Sequence, residues 1–135
     1  MKIKSFLAAI VYLTLMFSFV GLYAQQDTNV YNQVEVSAQM PQDKQAISNF
    51  IFSNLVYPSD AVGSGISGMV MTKFIIEPNG TISNIQVERG LHPLLDAEAI
   101  RVIRLIPGQW IPAKIGSNNV RSFFYIPVLF SNPQN

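Results

Sequence analysis

The residues of this chain that could do chemistry are few and lie close together. Gly63-Ser64-Gly65-Ile66-Ser67-Gly68 matches the G-x-G-x-x-G spacing that lets a backbone approach a pyrophosphate. His92 is the sole histidine and lies between Glu88 and the pair Asp96 and Glu98, a set that would serve acid–base work or a metal if the side chains converged. Trp110, the only tryptophan, is a candidate stacking surface for a ligand.

The elements around these residues point elsewhere. A dinucleotide loop must follow a strand and open a helix, so that the helix N-terminus meets the pyrophosphate. Here the glycines follow a helical pattern and open a strand, so they read as a helix stop and a tight entry into a sheet. His92 precedes Pro93 at a helix start, and Glu88, Asp96 and Glu98 have the spacing of a capped, solvated helix beginning. Asp96 and Glu98 are two apart on a helix and do not face each other. With no Cys and one His, the ligand set of a transition-metal site is missing. Trp110, between Gly108 and Pro112, reads as a residue packed over a core edge with its indole N–H on a carbonyl. No nucleophile with a base is found. The expectation is a protein that is not an enzyme and holds no cofactor or metal.

The 135 residues make one domain after an N-terminus that is not fold. Met1 to Lys4 is a short basic start, Ser5 to Ala24 is uncharged, and a polar Gln-rich stretch begins at Gln25. This is the pattern of a secretory signal peptide cleaved after Ala24. The apolar run, about 20 residues, is also long enough to span a bilayer if it is retained. The expected location is therefore the periplasm, with a periplasm-facing inner-membrane anchor as the alternative. Without Lys2 and Lys4 the remainder has seven basic and eight acidic residues, so it carries no electrostatic footprint for nucleic acid. The absence of Cys excludes disulfides and a lipidated Cys anchor.

Residues 25–43 are polar and weakly patterned and read mainly as a linker, with one short alternation from Val30 to Val36. Residues 44–132 form the predicted domain. Ile47, Phe50, Ile51 and Leu55 make one apolar stripe of a helix, which Pro58 ends before a short helix from Ser59 to Val62. Val70, Thr72, Phe74 and Ile76 alternate as a strand, Glu77-Pro78-Asn79-Gly80 turns, and Thr81 to Val87 returns. The odd spacing of Ile82, Ile85 and Val87 predicts a bulge near Ser83-Asn84. A second helix opens at His92-Pro93 with Leu95, Ala99, Val102, Ile103 and Ile106 buried. Asn118-Asn119 turns into a last strand, Val120 to Phe130. The fold class is α+β: two layers, a three-stranded antiparallel sheet packed by two or three helices.

The order Tyr57-Pro58, Ala61, Gly65-Ile66, Gly68, Val70, Phe74, Gly80, Leu95-Asp96, Glu98-Ala99, Trp110, Pro112, Pro127-Val128 and Phe130 resembles the TonB C-terminal domain family. It is most similar to the short versions of Bacteroidetes-type bacteria. The resemblance covers Tyr57 to Phe130 and, more loosely, Pro41 to Leu55. It implies a part in TonB-dependent transmembrane transport, in which the domain binds the N-terminal segment of an outer-membrane receptor, or another periplasmic protein, by strand addition. Family members that transmit force carry a long Pro-rich spacer. Here only about 20 residues separate the apolar run from the first helix, a reach of at most roughly 70 Å. Direct energy transmission is therefore not expected, and the alternative is a stand-alone envelope interaction module.

In the family the last strand lies at the sheet edge. The resemblance thus implies a partner-binding edge at Val120, Arg121, Phe123, Tyr125 and Leu129. The pattern adds that Phe123, Tyr125 and Leu129 share one face with Met71 and Ile75, opposite the helices. A solvated sheet face is normally polar, so this cluster predicts a surface covered by a partner or by a second copy of the chain.

Overall fold

The computed structural model describes residues 28–134, so the apolar run and its predicted cleavage after Ala24 lie outside the described part. Helix α1, Lys44–Asn54, starts where Asp43 accepts a hydrogen bond from the Ala46 N–H at 2.8 Å. That bond satisfies one of the donors a helix start leaves unpaired. Ile47 and Ile51 bury its inner face. Leu55 is already extended, and Pro58 leads into a 3-10 turn, Ser59–Ser64, ended by Gly65 in the left-handed region.

Among the described residues there are five strands, two more than the sequence pattern predicts. β1 is Val30–Tyr31, β2 Gly68–Ile76, β3 Ile82–Arg89, β4 Ala113–Ile115 and β5 Asn118–Phe130. The order is β1-β5-β2-β3, with β4 also on β5. β2 pairs antiparallel with both β3 and β5, whereas β1 pairs parallel with β5 at Arg121 and Ser122. The two additional strands have physical reasons to escape a pattern search. β1 is two residues long, and β4 is three residues completed by a hairpin. That hairpin turns at Gly116-Ser117, Gly116 having a φ of 60°, the position where a type II′ turn needs glycine. Asn118 and Asn119, predicted as the turn, open β5 instead. The segment read as a linker also joins the fold. Val36 bridges Lys114, Gln39 bridges Ile111, and Ala38 is buried.

The β2–β3 turn forms as expected, with the Gly80 N–H donating to the Glu77 carbonyl at 2.9 Å. Gly80 has a φ of 82°, and a Cβ there would overlap the Trp110 carbonyl oxygen. Two constraints thus demand glycine at one position. The predicted bulge is present: Asn84 has a φ of 49°, and Ser83 to Gln86 of β3 stands opposite Ile75 to Lys73 of β2. Helix α2, Pro93–Arg104, starts at His92, whose Nδ1 accepts from the Leu94 N–H. Leu95, Ala99, Val102 and Ile103 are buried beneath it.

The core lies between the helices and one face of the sheet. Val70, Phe74 and Ile76 of β2 and Ile126, Val128 and Phe130 of β5 are buried there. Phe74, Phe124 and Trp110 pack ring against ring, with centroids 5.0–5.8 Å apart. Trp110 is thus a core residue, and its backbone N–H donates to the Gly80 carbonyl at 3.0 Å.

Candidate functional site

The ladder of β5 leaves part of the strand open. β4 pairs with residues 118–120 and β1 with 121–122, while β2 runs along 122–130. Among the described residues, Phe123 to Phe130 have a strand partner only on the β2 side. The Ile126 carbonyl faces β2, because the Thr72 hydroxyl donates to it at 2.7 Å. Backbone direction alternates along a strand, so Tyr125 and Pro127 turn their backbone groups away from β2. A proline fits that side, since it has no N–H to lose there.

The predicted site residues fall into two groups. Val120 is buried and paired with Ala113. Arg121 is occupied: its Nε donates to Glu77 at 2.8 Å and its Nη1 to the Thr28 carbonyl at 2.6 Å, tying down the residues before β1. The open stretch begins after them. Phe123 is half-buried beneath the Lys73 amine, 4.3 Å from its ring centroid. Tyr125 is 45 % exposed and Leu129 72 %. Phe123, Tyr125 and Leu129 share the face away from the helices with Met71, Lys73 and Ile75, and of these Ile75, opposite Phe123, is itself buried.

Sequence reasoning missed the groove beside this edge. It has a volume of about 640 Å³ and lies between α1 and residues 124–129, lined by Met40, Lys44, Ile47, Ile51, Phe52 and Leu55 on the helix side. Phe52 is 85 % exposed, outside the buried stripe of α1. That off-stripe aromatic was the one local signal of the groove.

The acidic motif residues position this wall. Glu98 accepts from the Val56 N–H at 2.8 Å and from Arg101 Nε at 2.7 Å, and Arg101 also donates to the Asn54 carbonyl. The frayed end of α1 is thereby fastened to α2. Burial pushes the Glu98 carboxyl up, but the Arg101 and Val56 hydrogen bonds and the Arg101 charge outweigh it and hold the group below its ordinary value. Asp96 accepts from the Leu91 N–H at 2.9 Å and fixes the loop into α2. At the other end Tyr57 donates to the Ile66 carbonyl, and buried Asn132 donates to Tyr57 and to the Val62 carbonyl. Asn132 closes the domain, although a lone asparagine near a chain end gives no sequence signal.

His92, Glu88, Asp96 and Glu98 do not form a reactive cluster: His92 and Asp96 cap backbone, Glu98 clamps α1, and Glu88 pairs with Lys73. Among the described residues no three His, Cys, Asp or Glu side chains group to hold a metal ion. No helix of the described part is long and apolar enough to cross a membrane.

A two-layer α+β domain with an open strand edge beside an apolar groove is built as a protein-interaction domain. The chain matches the family model described as the Gram-negative bacterial TonB protein C-terminal over residues 53–131, and it belongs to that family. It is similar to a solution structure of the TonB C-terminal domain of Helicobacter pylori, at 25% identity over 64% of this chain and 78% of that one, with a TM-score of 0.48. It is also similar to that of Pseudomonas aeruginosa, at 19% identity over 79% and 96%, with a TM-score of 0.41. No curated protein matches. Membership implies a TonB-like role in envelope transport.

Proposed function

We propose that this protein is a periplasmic adaptor in TonB-dependent transport that binds the N-terminal segment of an outer-membrane receptor by strand addition to residues 123–129. The observation that carries the reading is the half-open ladder of β5. Its regular pairing with β2 leaves a row of outward backbone groups able to pair with an extended chain. Phe123, Tyr125 and Leu129 flank that row, and Val120 and Arg121, held by β4 and β1, bound it. Residues 1–24 serve export, as a cleaved signal peptide or as an anchor. The reading is of a binding domain rather than an enzyme.

Tyr125→Pro removes one outward N–H, whereas Tyr125→Ala removes only the side chain. The expected result in a binding assay with receptor N-terminal peptide is that Tyr125→Pro loses at least ten-fold more affinity, about 1.4 kcal/mol. A folded Tyr125→Pro protein with full affinity would contradict strand addition.

A further inference from the structure

Strand addition needs only the edge, yet the edge is faced by a second wall. Gln39, just before α1, bridges Ile111 beside Trp110, whose ring packs on Phe124. Just after α1, Tyr57 packs on Phe130. Helix and strand therefore run side by side in the same direction, Lys44 towards Phe124 and Leu55 towards Leu129, with the groove between them. The fold does not account for Phe52, 85 % exposed on that wall. Among the described residues Lys44 makes no salt bridge.

The two walls match in repeat. Lys44, Ser48 and Phe52 recur every four residues, about 6 Å along a helix. Alternate side chains of an extended strand recur every ~6.7 Å. Consecutive groove-facing side chains of an added strand would thus meet Lys44, then Ser48 with Ile47, then Phe52 with Leu55. We propose that α1 is the selecting wall of this docking site. Its occupant is an extended peptide segment with an acidic residue, a small apolar residue and a bulky apolar residue at alternate positions, the acidic one beside Lys44. This rests on the strand-addition reading and adds the side-chain selection that backbone pairing lacks.

The test uses a labelled peptide with glutamate, valine and leucine at alternate positions and serine between, titrated onto the protein. Phe52→Ser should weaken binding on the order of ten-fold without changing the melting temperature, because the side chain is solvated in the free protein. Phe52→Leu should retain most of the affinity. Lys44→Glu should reverse the charge preference, so that a peptide with lysine replacing glutamate becomes the better ligand. If Phe52→Ser and Lys44→Glu bind like wild type while Tyr125→Pro does not bind, the edge pairs and the helix does not select; the inference then falls and the strand-addition reading stands. If neither this peptide nor a receptor segment binds, both fall. Sedimentation of the free protein as a dimer, dissociated by Phe52→Ser, would make a second copy the occupant and overturn the proposal.

Discussion

Among the described residues, the outer side of β3 and the open part of β5 are two long sheet edges, and they are built in opposite ways. β3 is the outer strand on one side, and its edge is irregular: Asn84 adopts a positive φ at a bulge, and a second register shift lies between Met71 and Thr72 of its partner. Its exposed end carries Glu88 and Arg89. Bulges and charges are the devices that stop an edge from recruiting another strand. The open part of β5 has neither. Its pairing with β2 runs without a shift from Ser122 to Phe130, and its outward side chains include Phe123, Tyr125 and Leu129. One chain therefore guards one edge and leaves the other regular, apolar and faced by a groove. The difference fits the proposed use of the β5 edge, where Pro127 alone lacks an outward N–H.

Both edges hang on the same frame, so the largest effect comes from breaking it. Phe74→Ala or Ile103→Ala removes a fully buried side chain and should cost about 2–5 kcal/mol, read by denaturant unfolding. A variant that melted like wild type and lost only partner binding would move these residues from the core to the contact surface. Next in size is removal of the guard. Deleting Asn84 takes out the extra residue opposite Lys73–Ile75 and should leave β3 regular from Ile82 to Val87, up to the second shift. Sedimentation velocity should then show stronger concentration-dependent self-association than in the wild type. A deletion variant that sediments like the wild type at the same concentrations would show that the bulge is not what protects β3.

Smaller still is the contribution of the two ion pairs that hold the surroundings of the open edge. Glu77 is held below its ordinary value by hydrogen bonding to Arg121, against burial, with help from Ser83 and the Arg121 charge. Glu98 is lowered as well. A carboxyl lowered in the folded state binds fewer protons there than when unfolded, so its stabilisation is present above its ordinary value near 4.5 and is lost as pH falls through the lowered value. Unfolding midpoints should drop below about pH 4.5, and Glu77→Gln should flatten part of that drop by an amount well under the core effect. An unchanged acid profile in both Glu77→Gln and Glu98→Gln would remove these pairs from the account.

Local chemistry explains which parts of this molecule are legible in the sequence. The bulge at Asn84 follows from the uneven spacing of Ile82, Ile85 and Val87, and the start of α2 from His92-Pro93. The reading of Trp110 as core follows from its place between Gly108 and Pro112. Each depends on residues within a few positions of one another. What escaped depends on distant residues. β1 is two residues whose pairing is decided by Arg121, some ninety positions away. Gly116 outcompeted the two asparagines for the hairpin turn because a positive φ costs glycine least. The groove arises where α1 comes alongside β5, an approach set by distant contacts: the Gln39–Ile111 bridge before α1 and the clamp of Glu98 and Arg101 on its end. The last strand was expected at the edge throughout, yet two short strands cover its first five residues, which shortens the open part to Phe123 onward.

The central claim is that the open edge of β5, and not that of β3, takes the partner strand. Amide hydrogen exchange of the protein with and without a receptor N-terminal peptide measures this directly, because a paired N–H exchanges slowly and a free one does not. The account predicts new protection at Phe123, Tyr125 and Leu129, no change across Ile82–Arg89, and no response from Pro127, which has no amide hydrogen. Protection appearing along Ile82–Arg89 with residues 123–129 unchanged would contradict it.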